Sequence, residues 1–88
     1  MELEWDETKR RKTLSERHLD FADIAFIDVA SVVSRQDRRH DYGEVRFSSF
    51  AYLRGRLINF CWTPRARGIR IFSMRKANDR EIKKYQAR

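Results

Sequence analysis

Residues 45–75 read VRFSSFAYL, RG, RLINFCWT, PRARG, IRIFSMR, and this spacing of apolar runs constrains the fold most. Each run is rich in aromatic and β-branched residues and has the length of a strand. Parallel neighbours need a crossover of about a dozen residues or more, which neither Arg54-Gly55 nor the TPRARG loop supplies. The runs are therefore expected to form an antiparallel meander, with a tight hairpin at Arg54-Gly55.

The flanking segments supply the remaining elements. ELEW alternates, with Leu3 and Trp5 on one face of a short first strand. Asp6 can cap a helix over ETKRRKTLSER, whose thin apolar face puts it on the surface. LDFADIAFIDVA places Phe21, Ile24 and Ala25 at helical spacing behind Asp20 and predicts a second helix. SVVSRQ starts as a strand and breaks into a turn near Asp41-Tyr42-Gly43. Asn78 and Glu81 have capping-box spacing, so a last helix starts there, with Ile82 and Tyr85 facing the sheet. The expected order is β-α-α-β-β-β-β-α: an α+β domain over residues 1–88, with one antiparallel sheet, two N-terminal helices and a C-terminal helix.

Cys61 is the only cysteine, which excludes an internal disulfide, and its apolar surroundings suit a buried, inert thiol. The acidic start has no apolar leader, and no run approaches the ~18–20 residues of a membrane span. A cytoplasmic protein is expected. Two isolated histidines and scattered carboxylates lack metal-ligand spacing, and there is no glycine-rich phosphate loop, so no metal or cofactor is implied.

The formal net charge is +7. Residues 1–63 carry 11 basic and 11 acidic side chains, whereas residues 64–88 carry nine basic and two acidic ones. Such a segment suits a polyanion, most often nucleic acid. Arg75 and Lys76 stand just before the last helix and Arg80 lies in its first turn, where unpaired N–H groups and the helix dipole favour an anion. Arg70 and Arg75 are five residues apart, so an unbroken strand sends them to opposite faces; sharing a site requires the strand to end or bulge near Ser73-Met74.

The chain resembles the BrnT toxin family of bacterial type II toxin–antitoxin modules. The resemblance is carried by EWDETK (residues 4–9), RHLDF (17–21), DRRHDYGEVRF (37–47) and RIFSMRKANDREIKKY (70–85). Leu19 departs from the family pattern, where a glycine follows the histidine. The resemblance implies a RelE-like fold and metal-independent RNA cleavage. It also implies a hetero-oligomeric complex with a BrnA-like DNA-binding antitoxin, through which alone operator DNA is bound.

In such a reaction the ribose 2′-hydroxyl is the nucleophile, so the protein must align the chain, stabilise charge and move protons. Arg70, Arg75 and Arg80 suit charge stabilisation, while Lys76, Lys83, Lys84, Arg65 and Arg67 suit RNA binding. His40 or Glu44 can supply the acid or base from the loop, or can simply build the turn there. The same cations also fit a second reading, a non-catalytic nucleic-acid-binding module.

Overall fold

The computed structural model describes residues 1–88. Five strands form one sheet: β1 (Glu2–Trp5), β2 (Val33–Gln36), β3 (Phe47–Leu53), β4 (Arg56–Arg65) and β5 (Gly68–Lys76). Helix α1 (Glu7–Arg17) follows β1, and α2 (Asp79–Gln86) follows β5.

The meander forms as the spacing predicts, with β2–β3, β3–β4 and β4–β5 all antiparallel. At the β3–β4 turn Arg54 has φ +50° and Gly55 φ +80°, the left-handed pair of a tight hairpin. TPRARG contributes less loop than expected. β4 runs on through Pro64 to Arg65, past the end of its pairing with β3, and an overhang of this kind tolerates proline.

Two features correct the sequence expectation. The sheet is mixed, in the order β1-β5-β4-β3-β2, because β1 pairs parallel to β5 from Glu2↔Gly68 to Trp5↔Ile71. The crossover that parallel pairing demands is everything between them. The second helix is also absent: Phe21–Phe26 and Val29–Ser31 are short 3-10 segments. Phe21 and Ile24 are buried as expected, since i and i+3 share a face in either helix type. A longer helix is interrupted because the Asp28 carboxylate caps the second segment and the Asp28 amide donates to the Tyr52 carbonyl of β3. Asp6 caps α1 as expected, and Asp20 caps the first 3-10 segment in place of an α-helix.

His18 ends α1 in the left-handed conformation at φ +57°. That places the next residue, Leu19, in the core beside Phe21, so the departure from glycine supplies an anchor. The core fills one face of the sheet. Phe21 and Ile24 pack there against Ala51, Ile58, Phe60, Ile71 and Met74, with Leu3, Trp5 and Trp62 at the margin. Full burial of side chains this size stabilises the fold by roughly 1.5–3 kcal/mol each. Beyond the end of β1, the Arg17 guanidinium donates to the Met74 carbonyl of β5 at 2.9 Å, tying α1 to that strand.

Alternation along β5 changes once. Trp62 faces Ile71 while Cys61 faces Ser73, so Phe72 is an extra residue in a bulge. Ile69, Ile71 and Met74 are consequently all buried on the core side. Arg70, Ser73 and Arg75 turn to the opposite face, meeting the condition for the two arginines to lie on one side.

Gly68 closes the β1–β5 ladder, and a Cβ there would overlap the Glu2 backbone. Gly68→Ala is expected to destabilise by about 1–3 kcal/mol, at roughly 4–8 °C in Tm per kcal/mol for a domain this small. Thermal melts of the two proteins check this.

Candidate functional site

The face of the sheet opposite the core carries polar side chains that the strands deliver in register. Arg35 of β2 lies opposite Ser48 of β3, Ser48 opposite Cys61 of β4, and Cys61 opposite Ser73 of β5. One step along, Phe50, Asn59 and Arg75 form a second row. A hollow of ≈ 550 Å³ opens over these rows, walled by residues 35–39 and by Glu81 of α2. Its cations are Arg35, Arg38, Arg39 and Arg75, and its carboxylates are Asp37 and Glu81.

Both carboxylates have specific partners. Glu81 accepts from Nη1 and Nη2 of Arg75 at 2.7 and 2.9 Å, and from the Asn78 amide at 3.0 Å. The Asn78 side chain accepts in turn from the Glu81 amide, completing the capping box expected from sequence. Its bonds to Arg75 outweigh partial burial and hold the Glu81 carboxyl down at about 2, while Arg75 is raised. Glu81 takes the terminal edge of the guanidinium and leaves Nε without a hydrogen-bond partner.

Asp37 accepts from Nε and Nη2 of Arg39 at 2.9 and 2.8 Å and from the Tyr42 hydroxyl at 3.2 Å. Arg39 chiefly, with Tyr42, holds this carboxyl far below the usual carboxylate range, and only 4% of the Asp37 side chain is exposed. The loop between β2 and β3 is pinned at its base, where the Asp37 amide donates to the Arg46 carbonyl. The Arg46 guanidinium lies 4.1 Å from the Tyr42 ring centroid and 3.7 Å from that of Phe72, the bulge residue. One residue thus both redirects Arg75 and supports the loop that walls the hollow.

The residues singled out from sequence divide into groups. Arg75 lies in the hollow, and Arg80 lines an adjoining one that shares Arg35, Ser48, Phe50 and Glu81 with it. Arg70 shares the face but lines neither hollow; it pairs with Glu4 at 3.5 Å. Arg65 pairs with Glu44 at 3.5 Å and Glu4 at 3.8 Å, and Arg67 with Glu2 at 3.8 Å. The basic surplus read along the chain is therefore partly neutralised in space by acids from other segments. Lys84 lines the adjoining hollow, Lys83 is exposed on α2, and Lys76 is exposed at the end of β5.

His40 is exposed on the walling loop, edge-on to Tyr42 at 5.6 Å, and lines neither hollow. Glu44 is held by Arg46 at 3.2 Å, on the same stretch as its contact with Arg65. Cys61 is half-buried and lines the large hollow, so it is less enclosed than its apolar neighbours suggest. Sequence reasoning missed Arg35, Arg38 and Arg39, because residues 1–63 balance in charge as a block. The adjacent pair Arg38-Arg39 just after a short strand was the available signal. No helix is long and apolar enough to cross a membrane.

The family model for the ribonuclease toxin BrnT of type II toxin–antitoxin systems matches residues 5–81. No curated protein matches the chain.

Glu81 ties the acid stability of the protein to the site. Its folded value near 2 lies below its ordinary 4.5, so its contribution is full above about pH 4.5 and is lost as pH falls through 2. Glu81→Gln should lower Tm at neutral pH, and its deficit should shrink between pH 4.5 and 2 until the melting curves converge. Thermal melts across that range test the sign.

Proposed function

Because the chain belongs to the BrnT family of ribonuclease toxins of type II toxin–antitoxin systems, we propose that it is a metal-independent endoribonuclease whose scissile phosphate sits beside Arg75. The observation that carries this reading is the large hollow, where four arginines surround sheet residues with small polar side chains and Arg75 Nε has no hydrogen-bond partner. Guanidinium groups spread over one face match phosphate oxygens, and the open hollow admits a polymer.

In the proposed reaction the 2′-oxygen of the ribose attacks the adjacent phosphorus. The bond to the 5′-oxygen breaks, leaving a 2′,3′-cyclic phosphate and a free 5′-hydroxyl. Arg75 stabilises charge on the phosphorane, with Arg35 and Arg38 around it and Glu81 holding the guanidinium in place. Arg80 and Lys84 extend the cationic track along α2, and Lys76 and Lys83 meet the flanking strand. Arg70, Arg65 and Arg67 contact RNA farther along the same face, after exchanging Glu2, Glu4 and Glu44 for phosphate.

Proton transfer falls to His40, on the loop that carries Asp37, Arg38 and Arg39, with Glu44 as the second candidate. Asp37 and Glu81, held strongly ionised by arginine, are weak bases. That both are already bound by two donors of one arginine supports the metal-independent reading, because neither presents a free carboxylate to a cation.

A type II system supplies an antitoxin partner, here proposed to be BrnA-like and to cover the cationic hollow in a hetero-oligomer that binds operator DNA through the antitoxin alone. The mixed sheet with a helix against it and a basic hollow on one face supports the RelE-like reading, as a single toxin domain over residues 1–88 acting in the cytoplasm.

Arg75→Lys should lower single-turnover RNA cleavage by about 10²–10³ while largely preserving RNA affinity. Arg70→Ala should cost less, because Arg70 lies outside the hollow. Cleavage rates and growth after expression without the antitoxin measure both. Wild-type protein that binds RNA without cutting it, with affinity merely falling with salt, would favour the binding-module reading.

A further inference from the structure

The second hollow differs from the first in chemistry. It measures ≈ 290 Å³, and its apolar lining comes from Val33, Phe50 and Tyr85. Its cations are Arg35, Arg80, Lys84 and Arg88. None of these four has a carboxylate within salt-bridge distance, whereas Arg39, Arg70 and Arg75 are all paired. The one carboxylate lining the slot, Glu81, is clamped by Arg75, so four cations against one shared carboxylate around an apolar slot call for a ligand that combines a flat apolar ring with negative charge.

The slot is built for a ring. Val33 and Phe50 face each other across β2 and β3. Tyr85, the buried residue of α2, is fixed by its hydroxyl, which donates to the Ser31 carbonyl, and its ring lies edge-on to Tyr52 at 5.5 Å. The Arg88 guanidinium lies over the Tyr85 ring at 4.0 Å while its Nε donates to the Tyr85 carbonyl at 2.8 Å. That arrangement holds a planar cation as a second stacking surface, and bases stack on guanidinium planes as well as on aromatic rings. Ser48, shared with the large hollow, accepts from Asn59 Nδ2 at 2.9 Å and so retains its own hydroxyl hydrogen for a ligand. The volume lies at the small end of the ~300–1,000 Å³ typical of ligand pockets, which suits one nucleotide and no longer segment.

We propose that this hollow receives the base of a nucleotide neighbouring the scissile phosphate, stacked between Phe50 and the Arg88 guanidinium. Arg35, which lines both hollows, holds the phosphate between them. The inference rests on the ribonuclease reading of the larger hollow and adds a site that selects where the chain is cut. Alternating phosphate and ring along RNA matches the alternation of a polar cationic hollow with an apolar one.

The test is an amide-resolved NMR titration of the whole protein with each ribonucleoside 5′-monophosphate and, separately, ribose 5-phosphate. The expected result is that nucleotides perturb residues 33–35, 48–50 and 80–85 and bind about tenfold or more tightly than the sugar phosphate. Phe50→Leu, checked by thermal melt, and Arg88→Ala, at an exposed position, should each remove most of that advantage, and Phe50→Leu, which keeps every cation, should leave ribose 5-phosphate binding unchanged. Equal affinity for nucleotides and ribose 5-phosphate would overturn the proposal, as would indifference to both substitutions. Saturation of the slot by an acidic, aromatic peptide with no response to nucleotides would also overturn it, assigning the surface to protein docking. None of these readings uses cleavage. Base binding without RNA cutting would sink the catalytic reading alone, and RNA cutting without base binding here would sink this inference alone.

Discussion

β5 has to serve two faces at once, and the extra residue at Phe72 is what lets it. Without the bulge, strict alternation from Ile69 and Ile71 would turn residue 73 inward and Met74 outward, exchanging a core methionine for a serine. Arg75 would then point into the apolar layer, where an unpaired guanidinium is not tolerated. The bulge keeps Met74 in the core and Arg75 on the open face, and it offers the Phe72 ring to Arg46. Core packing, the position of the arginine and the anchoring of the β2–β3 loop all follow from one irregularity.

The pairing of Arg75 with Glu81 extends that constraint to α2. Glu81 satisfies the first turn of its own helix and clamps the arginine from the preceding strand, so helix start and site geometry form one hydrogen-bonded unit. An arginine fixed on one edge loses less side-chain entropy when its other edge meets an anion. The same carboxylate lowers the net positive potential of the hollow. Orientation is gained at some expense in raw attraction.

The meander was legible because its determinants are local: strand-length apolar runs, a turn whose second residue is glycine, and a capping box with both partners three residues apart. The parallel docking of β1 was not, since its partner lies across most of the chain and ELEW suits either direction. Phe21 and Ile24 announced a buried face without distinguishing an α-helix from 3-10 turns. That choice was made by the Asp28 amide reaching Tyr52 on a distant strand. For the site, Arg75 was readable from its place at a helix start, and the need for a bulge followed from counting to Arg70. Arg35, Arg38 and Arg39 were hidden because charge was summed along segments, whereas Glu2, Glu4 and Glu44 fold back onto the arginines of the last quarter.

The docking of β1 on β5 also has a temporal side. During synthesis β1 emerges before the other four strands of the sheet and waits longest for a partner, since Glu2–Trp5 have no ladder until Gly68–Ile71 exist. The β2–β4 meander can zip from short-range contacts well before then, but Ser73, Arg75 and Glu81 are translated after every residue they face across the sheet. An incomplete nascent chain therefore carries three of the hollow's four arginines but lacks Arg75, and the hollow is completed last.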